Sequence, residues 1–174
     1  MTSIIKVNEI QDAGGNTILS SNGTGTFTSN LPNNTPAFQA TISGYQTPLN
    51  DNTVTKLNFT VENYDTNNAY DAPNSKFTVP SGQDGKYLII SSPWFSWNVG
   101  NTHTYYYNYI YKNGSSFAFS QINLASGYLG DMRVPLTITM DLSAGDYIEV
   151  YGNATGGTSW GNFGGFFEGF KIIT

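Results

Sequence analysis

"RVPLTITMDLSAGDYIEVYG", residues 133–152, decides the fold. Val134, Leu136, Ile138, Met140 and Leu142 alternate with Pro135, Thr137, Thr139 and Asp141. After the turn-forming Ser143–Asp146 the same period returns, with Ile148 and Val150 set against Tyr147, Glu149 and Tyr151. A period of two puts apolar side chains on one face of a pleated strand and polar ones on the other, the pattern of half-buried antiparallel strands. "TKLNFTVEN", residues 55–63, continues it: Leu57, Phe59 and Val61 share a face opposite Lys56, Asn58, Thr60 and Glu62.

"HTYYYNYIYKNGSSFAFSQ", residues 103–121, reads as a hairpin. Asn113-Gly114 is the favoured type I′ pair, because both central residues of that turn take positive φ. Its incoming strand carries Tyr105, Tyr107, Tyr109 and Tyr111 on one side. Such a row of aromatics with polar tips suits a core, an intersubunit seam or a ligand platform. No apolar stripe of helical period has useful length, and strands recur about every ten residues with Gly, Pro and Asn between them. The fold class is therefore all-β, a sandwich or jelly roll.

Composition narrows the function. Charged residues make up 11% and aromatics 15%, with twelve Tyr and eleven Phe, which favours pleated half-buried surface over disorder. The net charge is −5 and seven Lys and Arg are scattered along the chain, so the clustered cations that release counterions from nucleic acid are missing. The absence of Cys removes thiol catalysis, cysteine-zinc sites and disulfides. No apolar run approaches the roughly 20 residues of a membrane span, so no membrane insertion is expected. At the start, Ile4-Ile5 meets Lys6, Asn8 and Glu9 at once, unlike the longer apolar run of a secretory signal.

From Pro36 onward the chain resembles the C1q-like domain, the jelly roll of complement C1q heads and a relative of tumour necrosis factor. "PAFQA" (36–40) is similar to that family's opening strand. Phe59, Asp65, Tyr70 and Phe77 match the spacing of its central signature, and Gly85-Lys86-Tyr87 follows two residues late, after "TVPSGQD". Ile89 stands where the family prefers an aromatic. Leu142, Gly145, Asp146 and Ile148 match a later strand, and Phe167, Gly169 and Phe170 the last one. The residues themselves read as a packing signature: Phe59, Phe77 and Tyr87 for the core, Gly145 and Gly169 for a turn or a close strand approach. The resemblance implies a C1q/TNF-like jelly-roll sandwich, usually assembled as a homotrimer with aromatic surfaces around the axis, and in some members a structural calcium. Asp131, Asp141 and Asp146 are the acidic residues considered for such an ion, although no calcium loop of ligand spacing occurs.

"SIIKVNEIQDAGGN" (3–16) resembles the starts of virion structural proteins of tailed bacteriophages, particularly marine ones. Ile5 and Val7 alternate with Ile4, Lys6 and Asn8, a short strand able to add to a sheet edge of another virion protein or to its own sandwich. The polar, turn-rich segment from Asn16 to Thr35 reads as a linker or as chain ordered against a partner. The expected organisation is an N-terminal attachment arm and linker over 1–35 and a C1q-like jelly-roll domain over 36–174.

The candidate binding residues are Trp94, Trp97, His103, Tyr105 and Trp160, aromatics flanked by Asn, Ser and Gly. Such rings stack on sugar faces while amides and hydroxyls bond the sugar hydroxyls; the competing reading fills a trimer seam with them. His103 is the only histidine, and no Gly-x-Ser-x-Gly elbow accompanies it, so no catalytic role is assigned and no cofactor is expected. The expected protein is a non-enzymatic virion component, a trimeric tail or capsid fibre on the particle surface whose head binds a host-surface glycan or protein. A decoration or adaptor protein stabilising the virion is the alternative, and a glycan-degrading tip a third reading.

Overall fold

A computed structural model describes residues 7–24, 27–29, 33–97, 103–124 and 130–172. It divides into two compact units, Met1–Asn33 and Asn34–Thr174. No helix occurs among the described residues.

The first unit is an antiparallel sheet of β1 (Glu9–Gln11), β2 (Thr17–Ser21) and β3 (Phe27–Ser29), in that order. Asp12 organises its first turn. Its Oδ1 accepts the Gly14 and Asn16 backbone N–H groups at 2.8 and 2.9 Å, and Gly15 takes φ +81°. The segment expected to be a linker thus contains two strands; their short, hydroxyl-rich sequences carry little apolar alternation to announce them.

The second unit begins with β4 (Ala37–Thr41), β5 (Gln46–Asn50), β6 (Thr55–Lys56), β7 (Val61–Asp65), β8 (Tyr70–Asp71) and β9 (Lys76–Thr78). The long β10 (Gly85–Trp97) follows, then β11 (Tyr105–Lys112), β12 (Ser115–Asn123) and β13 (Met132–Arg133). It closes with β14 (Leu136–Leu142), β15 (Tyr147–Thr155) and β16 (Ser159–Lys171). One sheet runs β13-β10-β16-β4-β7, with β14 also on β10 and β5 also on β16. The other runs β12-β11-β15-β9-β8, with β6 also on β15. First and last strands of the sandwich are neighbours: Phe38 of β4 pairs with Gly169 of β16.

The alternation that decided the fold holds in β14; in β15 Ile148 and Val150 are inside as expected, but Glu149 between them is also buried, paired with Lys56 and Tyr151. Met140, Leu142, Ile148 and Val150 are buried, while Thr137, Thr139 and Asp141 are exposed. "TKLNFTVEN" behaves differently. Leu57 and Phe59 are fully buried but Val61 is exposed, because the chain leaves one sheet after β6 and joins the other at β7. A strand that changes sheets turns the corner of a sandwich and breaks its own parity there.

Aromatic rings join the two sheets. Phe38 stacks on Phe77 at 4.6 Å and on Tyr70 at 5.0 Å, and meets Phe167 edge-on at 4.9 Å. Phe59, Phe77 and Tyr87, the packing residues read from the sequence, are all fully buried. The two additional residues before Gly85 form a turn, Gln83 N–H to Pro80 C=O at 3.1 Å, and the Tyr87 hydroxyl donates to the Gln83 carbonyl at 2.6 Å. A polar tie crosses the middle of the sandwich: Asn108 Nδ2 donates to Ser91 Oγ at 2.7 Å and to the Val134 carbonyl at 2.8 Å.

Candidate functional site

Strand β11 lies between β12 and β15, so side chains on its outer face have neighbours on both flanks. Tyr106, Asn108 and Ile110 point into the sandwich; Tyr105, Tyr107, Tyr109 and Tyr111 stand half-buried on the outside. The Asn113-Gly114 turn has φ of +52° and +78°, the doubly positive geometry of the type I′ hairpin.

The four phenols form a ladder. Tyr105 and Tyr107 are 5.9 Å apart, and Tyr107 and Tyr109 stack at 5.7 Å within 14° of parallel. Tyr109 and Tyr111 meet edge-on at 6.3 Å, and Tyr111 stacks on Tyr151 of β15 at 4.1 Å. On the other flank Phe119 lies against Tyr109 at 5.8 Å and Tyr107 at 6.4 Å. Ring faces meet at Tyr107–Tyr109 and Tyr111–Tyr151, and the four ladder tyrosines are each only half-buried. Free ring surface comes from β12, where Phe117 and Phe119 are 52% and 58% exposed.

Between β11 and β12 this face holds no charged side chain; on the β15 side the Lys76 ammonium lies 5.5 Å from the Tyr147 ring. Ser115, Ser116, Gln121 and Asn123 are the exposed polar residues of β12. At one border Lys56 Nζ neutralises Glu149 at 2.6 Å, and the Tyr151 hydroxyl donates to the second Glu149 oxygen at 3.2 Å. Burial, followed by the Glu149 carboxylate, pushes the Tyr151 phenol up to about 12, and burial also raises Tyr109. These phenols keep their protons at physiological pH and remain donors. An uncharged surface of stacking rings, amides and neutral hydroxyls binds by apolar contact and hydrogen bonding.

The five residues singled out from sequence do not form one site. Tyr105 ends the ladder. Trp94 lies on the other sheet, half-buried, with the Arg133 guanidinium 5.9 Å from its ring. Trp160 is fully buried: it meets Phe95 edge-on at 5.2 Å and donates its indole N–H to the Asn50 carbonyl at 2.9 Å. His103 is 3% exposed, with Nε2 3.1 Å from the Ser159 carbonyl and Nδ1 3.5 Å from Asp51. Neither Trp160 nor His103 offers a face to a stacking ligand. The Trp97 side chain lies outside the described residues.

The three aspartates considered for calcium are dispersed. Asp131 accepts from Ser96, Asp141 pairs with Lys86 at 3.8 Å, and Asp146 is occupied by Lys112, Asn113 and the Ser143 N–H. Among the described residues no three His, Cys, Asp or Glu side chains gather as a metal site.

Comparison with known proteins speaks to the fold. No protein-family model matches the chain, and no curated protein matches it. Solved structures do. The globular domain of zebrafish complement 1qA aligns over 79% of this chain and 98% of its own, with a TM-score of 0.58 at 14% identity. Murine APRIL aligns over 78% and 99%, with 0.57 at 14%. Eiger TNF from S. frugiperda aligns over 79% and 94%, with 0.55 at 12%. The chain has the C1q/TNF jelly-roll fold. In jelly-roll terms the ladder occupies the exposed surface of one sheet and Trp94 that of the other, so they are two separate surfaces of one head.

Proposed function

We propose that this chain is a structural protein of a tailed-bacteriophage virion, a homotrimeric tail or capsid fibre that binds the host surface through its jelly-roll head. Residues 1–35 attach it to other virion proteins. The observation that carries the recognition role is the aromatic face of β11 and β12, free of charged side chains, where Phe117 and Phe119 are exposed beside the tyrosine row. Its ligand class is a neutral host-surface glycan: free phenyl faces stack on sugar rings, and the phenols, Gln121 and Asn123 bond sugar hydroxyls. The phage origin rests on the likeness of residues 3–16 to virion protein starts, and the trimer on the habit of the fold.

The experiment combines location with binding. Gold-labelled antibody against the head is expected to decorate the intact particle, and purified protein is expected to bind host cells. Replacing Phe117 and Phe119 together by Ser is expected to abolish cell binding while the protein stays folded and assembled, with a somewhat lower thermal midpoint because Phe119 leaves Tyr107 and Tyr109. A variant that binds undiminished would remove the role of this face; unlabelled particles would remove the virion role.

A further inference from the structure

We infer that Tyr111 and Tyr151 form an oxidative modification site, where hydrogen peroxide acting through a peroxidase joins the two rings by their ortho carbons into an intrachain dityrosine. The pair lies within the head of a single chain, so the site depends neither on assembly nor on what the ladder binds.

Proximity comes first. These two rings are the closest pair among the described residues, 4.1 Å between centroids and 28° from parallel. Both are half-buried on the outer face of their sheet, held by the strands beneath and reachable from solvent. The next closest pair, Phe38 and Phe77 at 4.6 Å, lies in the core and carries no hydroxyl.

Proton acceptance comes second. Removing an electron from a phenol makes its proton strongly acidic, so oxidation is easiest where a base already holds that proton. The Tyr151 hydroxyl donates to Glu149 Oε2 at 3.2 Å, and Lys56 Nζ fixes the other carboxylate oxygen at 2.6 Å. The ladder comes third. Centroid steps of 5.9, 5.7 and 6.3 Å along Tyr105, Tyr107, Tyr109 and Tyr111 let an electron vacancy formed on any of these rings hop to the end of the row. Coupling at the closest pair is irreversible and drains the ladder there.

The reaction balances. Each phenol loses one electron and one proton, giving two neutral phenoxyl radicals. Their ortho carbons form the new C–C bond, and the two ortho hydrogens pass to the oxygens and restore both phenols. The two electrons and two protons removed reduce one hydrogen peroxide to two waters. The product ties β11 to β15 and closes the chain between residues 111 and 151 into a covalent loop, which stabilises as a disulfide does by constraining the unfolded chain. The cysteine-free sequence has no disulfide of its own.

The test treats dilute full-length protein with a haem peroxidase and hydrogen peroxide, then maps tryptic peptides by mass. Tyr111 falls in the peptide of residues 87–112 and Tyr151 in that of residues 134–171. The expected product is these two peptides linked with the loss of two hydrogens, and fragmentation placing the bond at Tyr111 and Tyr151. Tyr111→Phe and Tyr151→Phe keep a ring in the stack, and each is expected to abolish the link. Glu149→Gln is expected to slow it several-fold. A link at another tyrosine pair, links only between chains, or a yield undiminished in either Phe variant overturns the inference.

Discussion

The rings of Tyr111 and Tyr151 lie 4.1 Å apart and 28° from parallel, linking adjacent strands along a diagonal. Tyr111 is paired in register with Glu149, and Tyr151 with Tyr109, so this stack carries the ladder from β11 onto β15. Stacked aromatic pairs contribute about 0.5–1.5 kcal/mol beyond the area they bury. A double-mutant cycle on Tyr111→Leu and Tyr151→Leu is expected to return a coupling energy in that range, measured by denaturant unfolding. Strict additivity would show that the rings merely adjoin.

The ladder was legible in the sequence and its exposed border was not, for a reason located in β11. Counting back from the Asn113-Gly114 turn pairs Ile110 with Phe117 and Asn108 with Phe119, which would put both phenylalanines in the core. The structure pairs Ile110 with Ala118 and Tyr109 with Phe119, because a bulge at Ile110/Tyr111 shifts the register by one. One residue of slip moves every later side chain to the opposite face. No turn signal announces that bulge. Trp160 and His103 illustrate a different limit. Aromatics among Gly, Asn and Ser suggest a surface, yet both are interior because their polar atoms find carbonyls at Asn50 and Ser159. The buried aromatics Phe59, Phe77 and Tyr87, by contrast, were readable from their match to the C1q-like signature, which reaches even Phe59, a residue outside any strand between β6 and β7.

Tryptophan quenching separates interior from surface. A protein retaining only Trp160 (Trp94→Phe, Trp97→Phe) is expected to resist acrylamide, since that indole is fully enclosed and bonded to the Asn50 carbonyl. One retaining only Trp94 is expected to give a steeper quenching slope as a dissociated subunit. Equal slopes would contradict the burial of Trp160.

Asp146 links stability to pH. Hydrogen bonds from the Lys112 ammonium, then the Asn113 amide and the Ser143 N–H, hold its carboxyl down at about 2. A depressed carboxyl stabilises the fold fully above the unfolded value of about 3.9, and that contribution is lost as pH falls through the folded value. Stability is therefore expected to decline between about pH 4 and pH 2. Asp146→Asn is expected to cost about 1–2 kcal/mol at pH 7 and to flatten the decline, read from denaturation midpoints across that window. An unchanged slope in the variant would assign the decline to other carboxylates.

Gly169 is where the first and last strands of the sandwich close. A Cβ at this position would lie 2.7 Å from Ile89 Cδ1, 3.0 Å from the Leu88 carbonyl oxygen and 3.0 Å from Phe38 Cε1. Backbone on one side and the buried Ile89 and Phe38 side chains on the other leave little freedom to yield, so Gly169→Ala overpacks the site at a cost of about 1–3 kcal/mol. Ile89→Val removes the nearest atom and by itself costs about 0.5–1.5 kcal/mol. Together the two changes are expected to destabilise by less than the sum of the singles, because the methyl deleted from Ile89 vacates the space the alanine needs. Chemical denaturation of the four proteins gives the answer. A sum or more in the double variant would place the obstruction at the Leu88 carbonyl or the Phe38 ring, both 3.0 Å from the added methyl, rather than at Ile89.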